Sequence, residues 1–336
     1  MPHPASLLAV LTPTEVREFL PDPLLAQVRA LAPEFRLIDP LTTNPAAFAR
    51  DLAAINPEVL LGCWKTPLLP ATLPSRLRYV CYLTGSVKRL VTREHLAHGL
   101  HVTNWGGSIS RTVAECALFH VIACLRNASH WAVAMHQPGV GAWKNGLSDA
   151  RSLFGRTVGI HGFGPVAREL VALLKPWGCP ITVFAPDATA DLARAHGVER
   201  SASLEALFAE NQIIVELAPL IPATTGIITE KMLRLIAPGG VFVNVGRGAV
   251  VDEVALVKIA REGKIAIGLD VYSEEPLPGD SALRTLPSVS LTPHIAGPTI
   301  DRYADAGAFA VKNLRAYAED RPLEAVVTPE VYDFSS

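Results

Sequence analysis

The stretch RTVGIHGFGPVA at residues 156–167 decides how this chain folds. It starts as an apolar run typical of a buried β-strand, turns at glycines and continues as the first turn of a helix. Gly162 and Gly164 take the first two positions of a G-x-G-x-x-G/A pattern, and Ala167 takes the third. Such glycines allow a tight turn and a close approach to a phosphate, and the small third residue lets helix and strand pack. The stretch predicts an anion site at a helix N-terminus, although an ordinary glycine turn would show the same pattern.

Strand-like and helical segments alternate on both sides of this stretch. One series precedes it, over residues 6–102, and a second covers residues 157–291. Strands separated by helices predict parallel sheets with helices on both faces, so we expect two doubly wound α/β domains. The same pattern predicts a helix capped by Thr14, a short helix near residues 67–73 and one long helix from Arg111 to about Met135.

Composition and charge argue against several classes of protein. Of the 336 residues, 49% are hydrophobic and 18% are charged, which allows a large buried core and argues against disorder. The net charge of -2 and the lack of a basic block argue against nucleic acid or a membrane surface as a partner. We expect neither a signal peptide nor a bilayer-spanning segment, because the apolar runs are short and no positive region precedes the first one.

The five cysteines indicate reduced thiols in a cytoplasmic protein. Their number is odd and no two of them are spaced as C-x-x-C, so we expect neither a disulfide framework nor a zinc site, and no metal. These residues are Cys63, Cys81, Cys116, Cys124 and Cys179.

Three charged or titratable side chains follow strand-like runs in the second series. Arg247 lies between two glycines, Glu275 follows the run that ends at Asp270, and His294 follows the last short run. The carboxyl ends of parallel strands meet at one edge of a sheet, where ligands bind. Together the three residues supply a proton donor, a group that orients it and a cation for an anionic substrate. Alternatively, Arg247 pairs with Asp252 and the histidine is structural.

With these motifs the sequence resembles the D-isomer-specific 2-hydroxyacid dehydrogenases over nearly its whole length. The resemblance implies a flavodoxin-like substrate (catalytic) domain of residues 1–104 and 296–336, with a Rossmann NAD(P)-binding domain of residues 105–295 inserted into it. Seven motifs carry it, in order and at suitable spacing: VAE at 113–115, TVGIHGFG at 157–164, PLIPATTG at 219–226, NVGRGAVVDE at 244–253, LDV at 269–271, EP at 275–276 and TPHIAG at 292–297.

The resemblance also implies the chemistry. A hydride would move between the nicotinamide of NAD(P)H and C2 of a 2-ketoacid or 2-hydroxyacid. Arg247 would hold the carboxylate and the 2-oxo oxygen of the substrate, and His294 would be the acid/base. Glu275 would accept a hydrogen bond from the histidine, favour its protonated form and fix its tautomer.

The same motifs imply which residues touch substrate and cofactor. The backbone of Gly85, Ser86 and Val87 would bind the substrate carboxylate together with Arg247 and His294, in a cleft that closes between the domains. Trp64 and Trp105 either line that cleft or pack in the core. The implied cofactor contacts are Gly162, Phe163, Gly164, Pro165, Val166, Asp187, Ala218, Pro219, Thr224, Val245, Gly246, Arg247, Asp270, His294 and Gly297.

The chain departs from the family pattern at several positions. Ala185 stands where the second Rossmann strand usually ends in an acidic, ribose-binding residue, although Asp187 follows two positions later. Because Asp187 would repel a 2′-phosphate, NAD is favoured and NADP stays open. Lys88 and Arg89, next to the substrate loop, are either solvated charges or a site for a second anionic group on the substrate. His161, inside the glycine turn, has no assigned role.

The expected function is that of an oxidoreductase, an NAD(P)-dependent 2-hydroxyacid dehydrogenase that reduces a small 2-ketoacid of the glyoxylate or hydroxypyruvate type. Two alternatives stay open. One is an NAD-sensing binding protein with little or no activity. The other is a formate or phosphite dehydrogenase-like enzyme, against which Glu275 argues, because the formate enzymes usually have glutamine there. The helix from Arg111 and the loop around Trp143 resemble the family's dimer contact and predict a homodimer, although a buried helix would look the same.

Overall fold

A computed structural model describes residues 4–138, 149–286 and 288–334 of the chain. The chain divides into two compact units: unit 1 is Met1–Ile109 with Pro298–Ser336, and unit 2 is Ser110–Gly297. The sequence placed these boundaries slightly earlier, after residues 104 and 295. The first boundary lies later because the segment after residue 104 packs within unit 1, where a Cβ on Gly106 would lie 2.8 Å from the Cβ of Ala325.

Unit 1 contains a five-stranded sheet in the order β2-β1-β3-β4-β5, and every pairing in it is parallel. This is the flavodoxin-like doubly wound order, so the fold class expected for this unit is confirmed. The strands are β1 (Ser6–Val10), β2 (Glu34–Ile38), β3 (Val59–Gly62), β4 (Tyr79–Tyr82) and β5 (His101–Thr103).

Helices connect the strands of unit 1, and the last two helices of the chain also belong to this unit. An antiparallel bridge between Thr103 and Val326 joins the C-terminal segment to the sheet edge. The helices are α1 (Pro13–Phe19), α2 (Leu24–Ala30), α3 (Pro45–Ile55), α4 (Arg93–Ala97), α12 (Tyr303–Ala318) and α13 (Pro329–Phe334), the numbers α5 to α11 belonging to unit 2.

The start of α1 differs from the prediction. Thr12, not Thr14, caps the helix: its Oγ1 accepts a hydrogen bond from the Glu15 N–H at 3.1 Å, and the Glu15 carboxylate accepts one from the Thr12 N–H at 2.8 Å. The two bonds form a capping box, which satisfies two free backbone donors at once, and Pro13 suits the first helical position.

The helix predicted near residues 67–73 does not form, and this segment has no regular secondary structure. Pro67, Pro70 and Pro74 lack the N–H groups that a helix interior needs, and each restricts the residue before it to extended backbone. Leu69 instead donates its N–H to the carbonyl of Leu90 at 2.9 Å, which ties the segment to the chain beyond β4.

Unit 2 contains a seven-stranded parallel sheet in the order β12-β11-β10-β9-β6-β7-β8. The order reverses at β6, the strand of the glycine motif, as in Rossmann folds. The strands are β6 (Val158–His161), β7 (Ile181–Phe184), β8 (Glu199–Arg200), β9 (Ile213–Glu216), β10 (Val241–Asn244), β11 (Ala266–Leu269) and β12 (Val289–Leu291).

The long helix predicted from Arg111 to Met135 is two helices in the structure. Asn127 has φ of 50°, a left-handed conformation that ends the first helix and that asparagine tolerates better than most residues. The loop around Trp143 lies outside the described residues. The helices of unit 2 are α5 (Ser110–Leu125), α6 (Ala128–Met135), α7 (Pro165–Leu174), α8 (Ala190–His196), α9 (Leu204–Glu210), α10 (Glu230–Leu233) and α11 (Glu253–Glu262).

The cores of both units are built from the strands and the apolar faces of these helices. In unit 2 the clusters include Val158, Ile160, Val215 and Val243, all almost completely buried. Since these strands run parallel, their carboxyl ends lie along one edge, and the candidate site residues follow them there. Among the described residues, no helix has the length and the apolar character needed to cross a membrane.

Candidate active site

The glycine turn of unit 2 has the features that a pyrophosphate needs. Gly162 has φ of 91°, and a Cβ there would lie 2.8 Å from the carbonyl carbon of Leu217, so only glycine fits. Gly164 precedes the ten-residue helix α7, no side chain caps that helix start, and nothing lies within 4 Å of where its Cβ would be. The helix N-terminus is thus open to an anionic group, and these residues fit a dinucleotide.

His161 and Glu216 form a buried pair directly beneath this turn. They end neighbouring strands β6 and β9, face each other in register, and join through Nδ1 and Oε2 at 2.6 Å. Their side chains are 4% and 0% exposed. The other oxygen of Glu216 accepts the N–H of Ala218 at 2.8 Å, in the turn that abuts Gly162. The pair therefore fixes the two turns of the anion site to each other.

The other residues expected to contact the cofactor differ in how exposed they are. Phe163 is 2% exposed and its ring packs edge-on to His196, 5.5 Å between centroids, so its side chain belongs to the core. Thr224 closes its own turn, since its hydroxyl donates to the carbonyl of Pro219 at 2.6 Å and accepts the N–H of Ile221 at 2.9 Å. Of the remaining small residues, Ala218 and Val245 are buried, whereas Pro165, Val166, Pro219, Gly246 and Gly297 are at least partly exposed.

The turn after β7 places Asp187 in solvent. The strand ends at Phe184, and Ala185 is partly buried, whereas Asp187 is exposed. Arg194 on α8 is also exposed and pairs with Asp191 at 3.0 Å. The acidic group of this turn is thus available to a ribose, and the nearest arginine along the chain already has a carboxylate partner.

Arg247 follows β10 in a tightly held loop. The side chain of Asn244, 1% exposed, accepts the N–H of Gly246 and donates to the carbonyl of Arg247, both at 3.0 Å. A Cβ on Gly248 would overlap the backbone of Tyr272, so the loop lies directly against the segment that leads to Glu275. Burial lowers the pKa of Arg247, and the charge of Glu275 partly offsets this. Asp252 caps α11 by accepting the N–H of Ala255.

His294 and Glu275 form a second histidine–glutamate pair, again through Nδ1 and Oε2 at 2.6 Å. Here the side chains are 47% and 33% exposed. The other oxygen of Glu275 accepts the N–H of Tyr272 at 3.0 Å, which fixes the carboxylate. Because Nδ1 donates to the carboxylate, Nε2 is the ring atom left to exchange a proton with a substrate.

The backbone at His294 is held in an uncommon conformation. Its φ is 54°, in the left-handed region that few residues other than glycine adopt. Asp270, which is completely buried, stabilises this turn: one oxygen accepts the N–H of Ile295 and the other the N–H of Ala296, each at 2.9 Å. The carboxylate therefore positions His294 through the two peptide groups that follow it.

A relay of side chains extends from Asp270 into helix α5. Thr292 donates its hydroxyl hydrogen to Asp270 at 2.6 Å. The hydroxyl oxygen of Thr292 therefore accepts from His120 Nε2, which lies 2.9 Å away and carries a hydrogen. In the neutral imidazole, His120 Nδ1 accepts the hydroxyl hydrogen of Ser290 at 2.9 Å. Burial lowers the pKa of His120 to about 4, in agreement with this assignment.

The same cluster contains a set of donor atoms that could hold a metal. Ligand atoms of Cys116, His120 and Asp270 lie within 4.8 Å of one another. Both nitrogens of His120 and both oxygens of Asp270 are already hydrogen-bonded, and burial raises the pKa of the Cys116 thiol to about 12. The cluster is therefore a hydrogen-bonded relay. Sequence reasoning missed it because His120 lies on an apolar helix stripe and its partners are about 170 residues away.

A pocket of about 490 Å³ opens beside the exposed pair. Besides His294 and Glu275, it is lined by Tyr272, Pro276, Leu277, Arg284, Leu291, Thr292 and Pro293. A pocket of about 610 Å³ along α11 is lined by none of the expected site residues. Unit 2 thus brings together Arg247, Glu275, His294 and Asp270, next to an accessible surface.

The expected substrate loop belongs to unit 1. Gly85 and Ser86 follow β4 and are partly exposed, and the carbonyl of Gly85 accepts the side-chain amide of Asn104 at 2.9 Å. Val87 is buried and starts a short 3-10 turn. Lys88 extends its ammonium over the ring of Tyr332, 5.7 Å from the centroid.

Comparisons with known proteins bear on the family and on the fold. The family model of the D-isomer specific 2-hydroxyacid dehydrogenase NAD binding domain matches residues 118–296. A glyoxylate reductase of Thermococcus kodakarensis is 30% identical over 264 residues, 76% of this chain and 78% of that enzyme. A D-3-phosphoglycerate dehydrogenase of Methanocaldococcus jannaschii is 30% identical over 230 residues, 68% of this chain but only 43% of the longer enzyme.

Solved structures agree with the topology. The apo D-mandelate dehydrogenase of Rhodotorula graminis superimposes with a TM-score of 0.82 at 22% identity, over 96% of this chain and 97% of that one. The family model covers more than half of the chain and lies within unit 2, whose glycine turn fits a dinucleotide. The chain therefore belongs to the D-isomer-specific 2-hydroxyacid dehydrogenase family of NAD(P)-dependent oxidoreductases, which act on 2-ketoacids and 2-hydroxyacids.

Proposed function

We propose that this protein reduces a small 2-ketoacid to the D-2-hydroxyacid, with Arg247, Glu275 and His294 as its catalytic residues. The observation that carries the proposal is the exposed His294–Glu275 pair at 2.6 Å, which leaves Nε2 of an oriented imidazole accessible. Family membership supplies the reaction class, and this pair supplies the proton that the class requires.

Each residue of the site has a separate role in the proposed reaction. The nicotinamide, when bound, supplies the hydride to C2 of the substrate. His294 donates a proton from Nε2 to the 2-oxo oxygen as that oxygen becomes a hydroxyl, and Glu275 keeps the hydrogen on Nδ1 so that Nε2 remains the reacting nitrogen. Arg247 binds the substrate carboxylate with its planar guanidinium, a geometry suited to two parallel hydrogen bonds.

The loop of unit 1 is the proposed source of further hydrogen-bond donors to the substrate carboxylate. Ser86 and Val87 would offer backbone N–H groups to the substrate carboxylate, as the family resemblance implies. Lys88 is less suited to a second anionic group, because its ammonium lies over the Tyr332 ring.

NAD is the proposed cofactor in preference to NADP. Asp187 is exposed in the turn after β7 and would repel the 2′-phosphate of NADP, whereas it can accept hydrogen bonds from ribose hydroxyls. The cofactor would lie along the glycine turn from Gly162 to Val166.

We also propose a cytoplasmic homodimer. The cysteines are all free thiols, which suits a reducing compartment. Large apolar side chains are exposed on α5 and α6, namely Phe119 at 53%, Val133 at 57% and Met135 at 54%, and a second copy would cover them. Sedimentation equilibrium should give twice the chain mass of 36.0 kDa, and a monomer would contradict the dimer.

A panel of ketoacids tests the proposed function. Purified full-length chain is mixed with NADH or NADPH and with glyoxylate, hydroxypyruvate, pyruvate or phenylpyruvate, and oxidation of the cofactor is followed. We expect turnover with at least one ketoacid and a preference for NADH. Arg247→Ala should raise KM and lower kcat together, because the guanidinium both binds and positions the substrate. Binding of NADH without reduction of any ketoacid would favour the cofactor-sensing alternative.

A further inference from the structure

Three aromatic side chains, of which Trp64 is exposed and the other two are half-buried, form a wall at the carboxyl edge of the unit 1 sheet. Trp64 lies two residues beyond β3, Trp105 lies two residues beyond β5, and Tyr303 begins α12. The ring centroids of Trp64 are 6.5 Å from those of Trp105 and 5.7 Å from those of Tyr303, both edge to face. We call these three residues the aromatic wall.

A buried phenylalanine packs against two residues of the wall. Phe19, which is completely buried, contacts Trp64 edge to face at 5.3 Å and Tyr303 at 4.8 Å between centroids. Trp64 nevertheless remains 43% exposed. A tryptophan so exposed next to fixed aromatic neighbours presents an apolar surface that a ligand can cover at little cost in side-chain entropy.

The wall adjoins the expected carboxylate loop. A Cβ on Gly85 would lie 2.9 Å from the Trp105 indole, so the ring lies directly on the backbone of this loop. Trp64, Gly85 and Trp105 follow three neighbouring strands, β3, β4 and β5, at the edge where doubly wound sheets bind ligands. In a 2-ketoacid one carbon, C2, separates the carboxylate from C3, and two carbons separate it from a substituent on C3. A carboxylate bound to the loop would place that substituent within reach of the wall, since Trp105 lies on the backbone of Gly85.

We propose that the aromatic wall binds the C3 substituent of the substrate and selects 2-ketoacids with an aryl or branched alkyl side chain over glyoxylate and hydroxypyruvate. The inference rests on the proposed function and narrows its substrate class. Aromatic rings pair favourably edge to face or offset, and an apolar group on Trp64 removes further apolar surface from water. Glyoxylate has no C3 group, and the hydroxymethyl group of hydroxypyruvate offers little apolar surface to these ring faces.

Kinetics on the full chain test this selection. We expect kcat/KM for phenylpyruvate and 4-methyl-2-oxopentanoate to exceed that for glyoxylate by about tenfold or more, as for loss of an apolar group from a fitted pocket. Trp64→Ala should reduce this ratio about tenfold, through a higher KM for the large substrates, and leave glyoxylate within about twofold. Trp64→Phe should retain most of the preference. Phe154→Ala, which removes an exposed aromatic ring from unit 2, is the matched control and should leave the ratio unchanged.

Other outcomes overturn the inference without touching the proposed function. Equal or better use of glyoxylate by the wild type would do so, as would an equal loss for all substrates in Trp64→Ala. A preference for 3-phosphohydroxypyruvate would replace the wall with anion recognition by Lys88 and Arg89.

A binding measurement separates failure of the wall from failure of catalysis. If no ketoacid is reduced, the proposed function is lost, and the effect of two carboxylates on Tm still decides the inference. Phenylacetate should raise the Tm of the wild type more than acetate does, and Trp64→Ala should abolish the difference. An equal shift by both carboxylates would contradict binding at the wall.

Discussion

Unit 2 contains two histidine–glutamate pairs with the same geometry and opposite surroundings. His161–Glu216 and His294–Glu275 each join Nδ1 to Oε2 at 2.6 Å. In the first pair the side chains are 4% and 0% exposed, and in the second 47% and 33%. A histidine–glutamate hydrogen bond therefore has two uses in this unit. It fixes backbone turns where water is excluded, and it orients a proton donor where water and substrate have access.

The glutamates also use their second oxygens alike. Glu216 accepts the N–H of Ala218, and Glu275 accepts the N–H of Tyr272, so each carboxylate ties its histidine to a neighbouring loop. The two pairs differ in the free-energy cost of removing one member. A buried side chain that loses its partner cannot bond to water instead, whereas an exposed one can.

The largest effect is expected at the exposed pair and in the chemistry. His294→Ala should lower kcat by about 10²- to 10⁴-fold, because the reaction loses its proton donor. The Tm should change little, since this side chain is half exposed. Steady-state kinetics and a thermal melt on the same preparation measure both. A kcat close to that of the wild type would refute the role of His294.

The buried pair should show the reverse behaviour. Glu216→Leu leaves His161 without its partner and should destabilise unit 2 by about 3–5 kcal/mol, measured by denaturant unfolding. The double variant His161→Leu/Glu216→Leu should recover most of that loss, because two apolar side chains can replace a buried pair. If the double variant is as unstable as the single one, the pair is not the unit that stabilises these turns.

A smaller effect is expected when only the orienting group of the exposed pair is changed. Glu275→Gln keeps the size of the side chain but can donate to Nδ1, which favours the wrong tautomer of His294. We expect kcat to fall about 10- to 100-fold, with the Tm within a few degrees of the wild type. The wild-type kcat would show that the carboxylate does not set the tautomer.

The last effect concerns His120 and appears only at acid pH. Since burial lowers its pKa to about 4, the unfolded chain binds a proton below pH 6.5 that the folded chain does not bind. Stability should therefore fall as the pH drops from 6.5 to 4, by at most about 1.4 kcal/mol per pH unit from this residue. His120→Gln should flatten the profile of Tm against pH in this range, whereas His98→Gln, at an exposed site, should not.

The sequence predicted the architecture because alternating strands and helices leave few topologies. It also predicted Arg247, Glu275 and His294 as a group, since each follows a strand that ends at the same edge of the sheet. The assignment of these residues to catalysis, and of the glycine turn to the cofactor, remains a prediction that the variants above test.

Details that depend on one backbone angle or on distant partners were not predictable. The helix from Arg111 breaks because Asn127 adopts a left-handed conformation, which helical periodicity does not reveal. The role of His161 needed its register with Glu216, 55 residues away, and the relay of His120 needed contacts with β12. The capping box of Thr12, by contrast, follows the sequence pattern T-x-x-E, which favours Thr12 over Thr14 as the cap.

The discontinuity of unit 1 has a consequence for synthesis on the ribosome. The layer that covers Phe19 and Tyr79 comes from α12: the Phe19 carbonyl occupies the place of a Cβ on Gly307, and Tyr317 stacks on Tyr79 at 4.9 Å between centroids. All of unit 2 emerges from the exit tunnel before this helix does. The first 109 residues therefore expose apolar surface while unit 2 is already able to fold, and nascent chains stalled before residue 303 should bind chaperones that recognise such surface.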